Sequence, residues 1–204
     1  MNKPSKTYSP MHIMLANDGS EHTIAAAKMI HDLPLPEGSR ISVVGVREPR
    51  INQSRMTLAE TAEQVKGILE AKGVDVRSGI LHGHPATALI TYANFISPDL
   101  IVIGAKGLHA KLGGNLLGGV AQQVVEHAHW PVLVVKTPYR KIRRVLLATD
   151  GSPYCQLAEQ YLADFPLPAD TEITILNVLP TLPSSEYMID SPAFVKEEVH
   201  APPR

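Results

Sequence analysis

The apolar residues of this 204-residue chain follow two alternating patterns. Short, nearly continuous apolar runs rich in β-branched residues are typical of strands buried in a parallel sheet. Between them, apolar residues recur at the spacing of amphipathic helices. The predicted strands are 12–16, 41–46, 74–81, 100–103 and 132–135, and the predicted helices are 21–32, 57–72, 86–96 and 116–127. Strands that alternate with helices predict an α/β fold with a doubly wound parallel sheet.

The opening of this pattern occurs twice. Residues 13–46 and 145–178 align without a gap at an offset of 132, and 12 of the 34 aligned positions are identical. Both segments contain the letters DGS and PLP at matching places. A period of this length is too long for a solenoid and indicates a duplicated domain. We therefore expect a complete domain over 10–137, a partial β-α-β copy over 143–180, and a flexible tail over 181–204.

Composition narrows the class of protein. Hydrophobic residues make up 44% of the chain, which supports a real core, and 19 basic against 20 acidic residues give a net charge of -1. This balance gives no support for nucleic-acid binding. No apolar run approaches the roughly 20 residues of a membrane span, and the first residues lack an apolar signal core. The single cysteine, Cys155, excludes an internal disulfide framework. These features predict a cytoplasmic protein with no nucleic-acid or membrane partner.

Glycines are concentrated after the fourth predicted strand. They are Gly104, Gly107, Gly113, Gly114, Gly118 and Gly119. Amides of such a loop, with a helix N-terminus behind them, form a ready anion site, so the loop predicts a phosphate and hence a nucleotide. A flexible β-α connection that only packs is the alternative that spacing leaves open. Asp18, Val46 and Gly104 follow three different strands, at the carboxyl ends where doubly wound sheets bind ligands.

Other chemistry finds little support in the sequence. The P-loop, the G-x-S-x-G elbow and the H-E-x-x-H motif are absent. The pairs His82 with His84 and His127 with His129 lack further metal ligands, so we expect no metal site in the protein itself. We expect Asp18 to cap the first helix or to bind a nucleotide, and its counterpart in the repeat to act in capping alone. No catalytic residue is assigned, and we expect at most slow ATP hydrolysis.

Three motifs together resemble the universal stress protein (UspA) family. They are the DGS after the first strand, the GHPA before the third helix, and the segment IVIGAKG…LLGGV…PVLVV. The resemblance covers about 10–137 and resumes over 143–178, as in tandem members. It implies a five-stranded parallel sheet in the order 3-2-1-4-5, similar to adenine nucleotide alpha hydrolases. It also implies ATP, with Mg²⁺, in one branch of the family. The residues implied to contact the nucleotide are Ala16, Asp18, Val46, Ile103, Gly104, Gly107, Gly118 and Gly119.

The glycine loop departs from the ATP-binding pattern of that branch, which resembles G-x2-G-x9-G-S/T. In this chain ten residues, 108–117, separate Gly107 from Gly118, which match the second and third glycines of the pattern. Gly119 stands where the pattern has the hydroxyl of Ser or Thr. Losing that hydrogen bond costs about 0.5–1.5 kcal/mol, or roughly tenfold in affinity. ATP binding in a stress-response protein is therefore our leading hypothesis, and a dimeric interaction module without nucleotide is the alternative. The resemblance also implies a homodimer through strand 131–136; the protein partner is unknown.

Overall fold

The computed structural model describes residues 8–48, 55–106 and 117–178. This part of the chain falls into two compact units. The first spans Ser9–Lys141 and the second begins at Ile142. None of the described helices is both long enough and apolar enough to span a membrane.

The first unit is a five-stranded parallel sheet with helices between successive strands. Its strands are β1 His12–Asn17, β2 Arg40–Arg47, β3 Asp75–His82, β4 Leu100–Gly104 and β5 Val132–Val135. Its helices are α1 Glu21–Asp32, α2 Arg55–Glu70, α3 Pro85–Ile96 and α4 Gly119–His127. The strand order is β3-β2-β1-β4-β5, with all neighbours parallel. The predicted fold and strand order are therefore confirmed.

Helices cover both faces of the sheet, which explains why the central strands are apolar without alternation. In β1 every residue from Ile13 to Asn17 is buried. Met14 and Ala16 belong to a core cluster shared with α3 and α4, so the residues between them face α1 and α2. The weaker strand β3 lies at the edge of the sheet and is mostly exposed, as its charged residues predict.

Helix α4 begins at Gly119, three residues after the predicted start. Gly118 has an extended backbone, with φ -66° and ψ 151°, and is the N-cap residue. Its N–H is donated to the carbonyl of Ala105 at 2.8 Å, so it cannot continue a helical turn backwards. Leu117 therefore does not extend the helix, although the apolar spacing suited one, and the predicted first residue Leu116 lies outside the described residues.

The second unit repeats the opening of the first with the same register. It consists of β6 Arg144–Thr149, α5 Pro153–Asp164 and β7 Glu172–Asn177, with the two strands parallel. The bounds of β6 and α5 are those of β1 and α1 shifted by 132 residues. Arg144 pairs with Glu172 where His12 pairs with Arg40, which is the same shift on both strands. The predicted partial copy is confirmed. The domain limits 10–137 and 143–180 stay predictions, and 181–204 lies outside the described residues.

The copy differs from the original in burial. Leu146 is 64% exposed, whereas its counterpart Met14 is fully buried. Ile175 is 49% exposed, whereas its counterpart Val43 is 1% exposed. All six residues of β7 are exposed. The second unit thus presents as surface the positions that the first unit uses as core, since it lacks covering elements among the described residues.

Candidate functional site

The turn after β1 is held by the side chain of Asp18. Its Oδ1 accepts hydrogen bonds from the Ser20 backbone N–H and the Thr23 hydroxyl, each at 3.0 Å. Gly19 has φ +83°, a conformation that favours glycine. The N-cap of α1 is Ser20, whose hydroxyl accepts from the backbone N–H of His22 at 3.2 Å. Asp18 thus fastens the turn that leads into α1, and the N-cap residue itself is Ser20.

Asn17, which the sequence analysis did not single out, ties this turn to the second helix. Its side chain is 5% exposed. Its Nδ2 donates to the Leu58 carbonyl at 2.9 Å, and its Oδ1 accepts from the Gly19 N–H at 3.0 Å. The repeat could have indicated this role, because the residue at the same position, Thr149, is also polar. The Thr149 hydroxyl accepts from Gly151 N–H at 3.2 Å.

Three of the predicted contact residues form an apolar floor beneath the carboxyl edge of the sheet. Ala16, Val46 and Ile103 belong to the same core cluster and are only 6–8% exposed. They come from three neighbouring strands, β1, β2 and β4. Because their side chains are almost wholly covered, they can support a flat group from below but cannot enclose it.

Hydrogen bonds fix both ends of the glycine loop. The Ala105 N–H donates to the Val135 carbonyl and the Gly118 N–H donates to the Ala105 carbonyl, each at 2.8 Å. The start of the loop is thereby joined to its end and to strand β5. Gly107, a predicted contact residue, lies in the segment 107–116, outside the described residues.

Within the described part of the chain, no side chain caps the N-terminus of α4. Its N-cap residue Gly118 has no side-chain acceptor, and the first turn holds no acidic residue. Helix α1, by contrast, has the Ser20 cap and Glu21 in its first turn. The first amides of a helix need an acceptor, and an anion serves as one. Gly119 adds space, since a Cβ built on it meets no heavy atom within 4 Å.

Helix packing alone explains why position 104 is a glycine, without any ligand. A Cβ at this position would lie 2.6 Å from the Cβ of His22, so only glycine allows α1 to pack against the end of β4. The Nδ1 atom of His22 is buried and has no hydrogen-bond partner in the described part of the chain. The first glycine of the loop is therefore explained by helix packing, whereas Gly118 and Gly119 are not.

The second unit contains the same turn without the glycine loop among its described residues. Asp150 Oδ1 accepts from the Ser152 N–H at 2.9 Å, and the Ser152 hydroxyl accepts from the Cys155 N–H at 3.3 Å. Hydrogen bonds from Ser152, with a smaller contribution at Cys155, lower the pKa of Asp150 to about 2. Asp150 thus holds a helix-capping turn, and the cap itself is Ser152.

Comparison with known proteins places these features in a family context. The chain matches the model of the "Universal stress protein family" over residues 10–136 and again over 141–201. Universal stress protein MJ0531 of Methanocaldococcus jannaschii is 40% identical over 82 residues, which cover 40% of this chain and 48% of the relative. A universal stress protein of Thermus aquaticus, encoded in the QAH/OAS sulfhydrylase 3′ region, is 34% identical over 134 residues, which cover 61% of this chain and 97% of the relative. The chain thus spans about half of the first relative and nearly all of the second.

A solved structure shares the fold of the first unit. It is a universal stress protein in complex with cAMP, with a TM-score of 0.51 and 23% sequence identity. The match covers 63% of this chain and 98% of that one. At this identity the likeness shows the fold alone, and the ligand belongs to that protein.

Proposed function

The chain belongs to the universal stress protein family, and on that basis we propose that its first unit binds an adenine nucleotide at the carboxyl edge of the sheet. The nucleotide we propose is ATP. Binding would change the conformation or the protein partner of the chain during a stress response. We assign no catalytic residue and expect at most slow hydrolysis of bound ATP. A cytoplasmic location remains part of this proposal.

The observation that carries the proposal is the uncapped N-terminus of α4. It lies where the hydrogen bond between Gly118 and Ala105 joins the two ends of the glycine loop. Gly118 brings the first amides of α4 next to the end of β4 without offering them an acceptor. The phosphate groups of a nucleotide would accept those hydrogen bonds and would also be favoured by the helix dipole. In α1, by contrast, the Ser20 hydroxyl already accepts from one of these amides and Glu21 adds a negative charge to the first turn.

The other predicted contact residues lie near the same edge of the sheet and would bind the rest of the nucleotide. Ala16, Val46 and Ile103 provide the floor for the adenosine moiety. Asp18 lies at the rim of the same edge, within a turn whose geometry is fixed by its own hydrogen bonds. Among the described residues no group of three or more His, Cys, Asp or Glu could hold a metal ion. Mg²⁺ would therefore come with the phosphates and its water ligands.

A protein of the same fold binds cAMP, which is an adenine nucleotide like the ligand proposed here. Because that likeness shows the fold alone, the argument for a nucleotide here rests on the site itself. The family resemblance supplies the second support, through the glycines and the residues that match its ATP-binding pattern.

Titration calorimetry of the full chain tests the proposal. ATP, ADP and AMP are added with and without Mg²⁺, and sodium tripolyphosphate with Mg²⁺ serves as a control for simple anion binding. We expect saturable ATP binding at submillimolar concentration and weaker binding of AMP. Absence of binding by any of the three nucleotides at millimolar concentration would remove the proposal.

One observation favours the second candidate, a dimeric interaction module that binds no nucleotide. Gly119 lacks the hydroxyl that the ATP-binding pattern places there, and the loop is one residue longer than in that pattern. The same titration separates the two candidates, because the module would show no heat with any nucleotide.

We further propose that the chain forms a homodimer through strand 131–136 in either case. β5 is an edge strand of the first sheet, and Val132, Leu133 and Val134 are only partly buried. An edge strand with apolar side chains is a template for pairing with another strand. Sedimentation at micromolar concentration should give a dimer, and substitution of Val134 by lysine should weaken it. A monomeric wild-type protein would contradict this assembly.

A further inference from the structure

A cleft lies along β2 and β3 of the first sheet, from Arg40 at the start of β2 to Leu81 near the end of β3. Its volume is about 380 Å³, within the range of small-molecule sites. The end of α3 forms one wall, and β1, β2 and β3 form the floor. Gly79 of β3 lines the cleft and has open space where a side chain would stand. The cleft therefore exists partly because α3 leaves the floor of β3 uncovered.

Strand register places a row of polar side chains on this floor. His12 pairs with Arg40, and the next position on the same face pairs Ser42 with Arg77. On the same face Met14 of the core cluster pairs with Ser42, and the next pair toward the carboxyl ends, Ala16 with Val44, is wholly apolar. Polar groups on a face that is otherwise core are costly unless they are paired or have a ligand. The change from apolar to polar along one face marks the boundary between core and cleft.

His12 is held in place by its neighbours but keeps one unused ring nitrogen. Its Nε2 lies 2.9 Å from the Ser42 hydroxyl, and its backbone N–H donates to Asp99 Oδ2 at 2.7 Å. Its Nδ1 is buried and makes no hydrogen bond within the described part of the chain. Burial and the charge of Arg40 lower the pKa of His12, against the opposing effects of Asp99 and the Ile96 carbonyl. The ring is therefore neutral at neutral pH and does not supply the charge of the cleft.

The charge comes from two arginines with different partners. Arg77 Nε lies 3.2 Å from Asp75 Oδ2, so its charge is largely balanced. Arg40 is exposed, and no acidic side chain of the described residues pairs with its guanidinium. A guanidinium without an acidic partner beside a cleft is suited to a carboxylate, which it can bind through two parallel hydrogen bonds.

The opposite wall is aromatic. Tyr92 and Phe95 of α3 have ring centroids 6.4 Å apart, and both line the cleft. Phe95 is 84% exposed. A large aromatic side chain left this open next to a cation favours a ligand that has both a flat apolar body and an anionic group.

We propose that this cleft binds a small aromatic carboxylate, with its carboxylate at Arg40 and its ring against Tyr92 and Phe95, over the open space at Gly79. The site is separate from the nucleotide edge, and it does not depend on whether ATP binds there.

The test uses 2-naphthoate as the probe and 2-naphthamide as its uncharged match, added to the full chain and followed by calorimetry and by the NMR signals of the His12 ring. We expect saturable binding of the carboxylate, weaker binding of the amide, and a shift of the His12 signals. Saturating ATP should leave the affinity unchanged. No carboxylate binding at millimolar concentration, or equal binding of the amide, would overturn the proposal.

Two variants locate the site. Gly79→Leu fills the cleft from a strand position where an added Cβ meets nothing within 4 Å, so the variant should fold and lose at least tenfold in affinity. Arg40→Gln should lose about tenfold and with it the preference for the carboxylate. Arg144→Gln, at an exposed position of the second unit, is the matched control and should bind as wild type does. Wild-type affinity in Gly79→Leu would place the probe elsewhere and refute the assignment.

Discussion

Replacement of Gly119 by serine tests the nucleotide site where the chain departs from the ATP-binding pattern. Gly119 is the first residue of α4, and a Cβ added there meets no heavy atom within 4 Å. Its φ is not in the left-handed region that favours glycine. Serine should therefore be accepted without strain, and the helix should gain slightly from losing a glycine.

The expected gain in affinity follows from one hydrogen bond. The new hydroxyl would lie at the N-terminus of α4, beside the amides that we assign to the phosphates. A net hydrogen bond contributes about 0.5–1.5 kcal/mol, which corresponds to as much as about tenfold in affinity for ATP. The effect should be confined to phosphorylated ligands, because we propose that the adenosine moiety lies away from this hydroxyl, over Ala16, Val46 and Ile103.

Calorimetry with ATP and with adenosine measures this effect on wild type, Gly119→Ser and Gly119→Ala. The alanine variant adds the same Cβ and improves the helix in a similar way, but it provides no hydroxyl. We expect tighter ATP binding in the serine variant only, with adenosine unchanged in all three proteins. The reasoning fails if serine and alanine behave alike, or if serine strengthens adenosine binding as much as ATP binding.

Three further predictions concern the groups around the two turns. Gly104→Ala should destabilise the first unit by about 1–3 kcal/mol, because its Cβ would clash with His22; urea unfolding followed by the single tryptophan measures this, and no change would contradict the packing argument. Asn17→Ala should cost about 1–3 kcal/mol in the same assay, because it removes a buried hydrogen bond to the Leu58 carbonyl and the side-chain acceptor of the Gly19 N–H. Asp150 should titrate by NMR with a pKa of about 2, and Ser152→Ala should move it toward the ordinary 3.8. Since folding lowers the pKa of Asp150, the contribution of its carboxylate to stability is complete above pH 3.8 and is lost as the pH falls through about 2. An unchanged pKa in Ser152→Ala would refute Ser152 as the cause of the shift.

The fold followed from the sequence because each strand is short, apolar and separated from the next by a helical pattern. Helix α1 and strand β5 begin and end as predicted. The predicted start of α4 was wrong. The apolar spacing before Gly118 suited a helix, but the hydrogen bond from the Gly118 N–H to the Ala105 carbonyl sets where the helix begins. Such a bond joins residues that only the folded chain brings together, so no local pattern reports it.

Burial in the second unit shows a different limit of the sequence pattern. Leu146 and Met14 occupy equivalent positions of the repeat, yet one is exposed and the other is fully buried. The pattern tells which positions suit burial, whereas their actual burial depends on elements that lie elsewhere in the chain or in a partner. From these exposed residues we expect the second unit to pack on a neighbouring element or to exchange between chains.

The candidate site was only partly readable from the sequence. The motifs named the glycines and the residues after the strands, but they did not separate Gly104, which α1 requires for packing, from Gly118, which leaves α4 uncapped. Asn17 was missed because its partner Leu58 lies 41 residues away. The cleft at Arg40 was also missed, since only the strand register brings His12, Arg40 and Arg77 to one face.

The central claim is that an adenine nucleotide binds at the carboxyl edge of the first unit, and NMR of the backbone amides tests it most directly. Titration of the full chain with ATP and Mg²⁺ should shift the amide signals of Gly118, Gly119 and Asp18 saturably at submillimolar concentration. The amide of Gly151, in the matching turn of the second unit, should stay unchanged. Unshifted signals at the α4 N-terminus with millimolar ATP, or equal shifts at Gly151, would contradict the account.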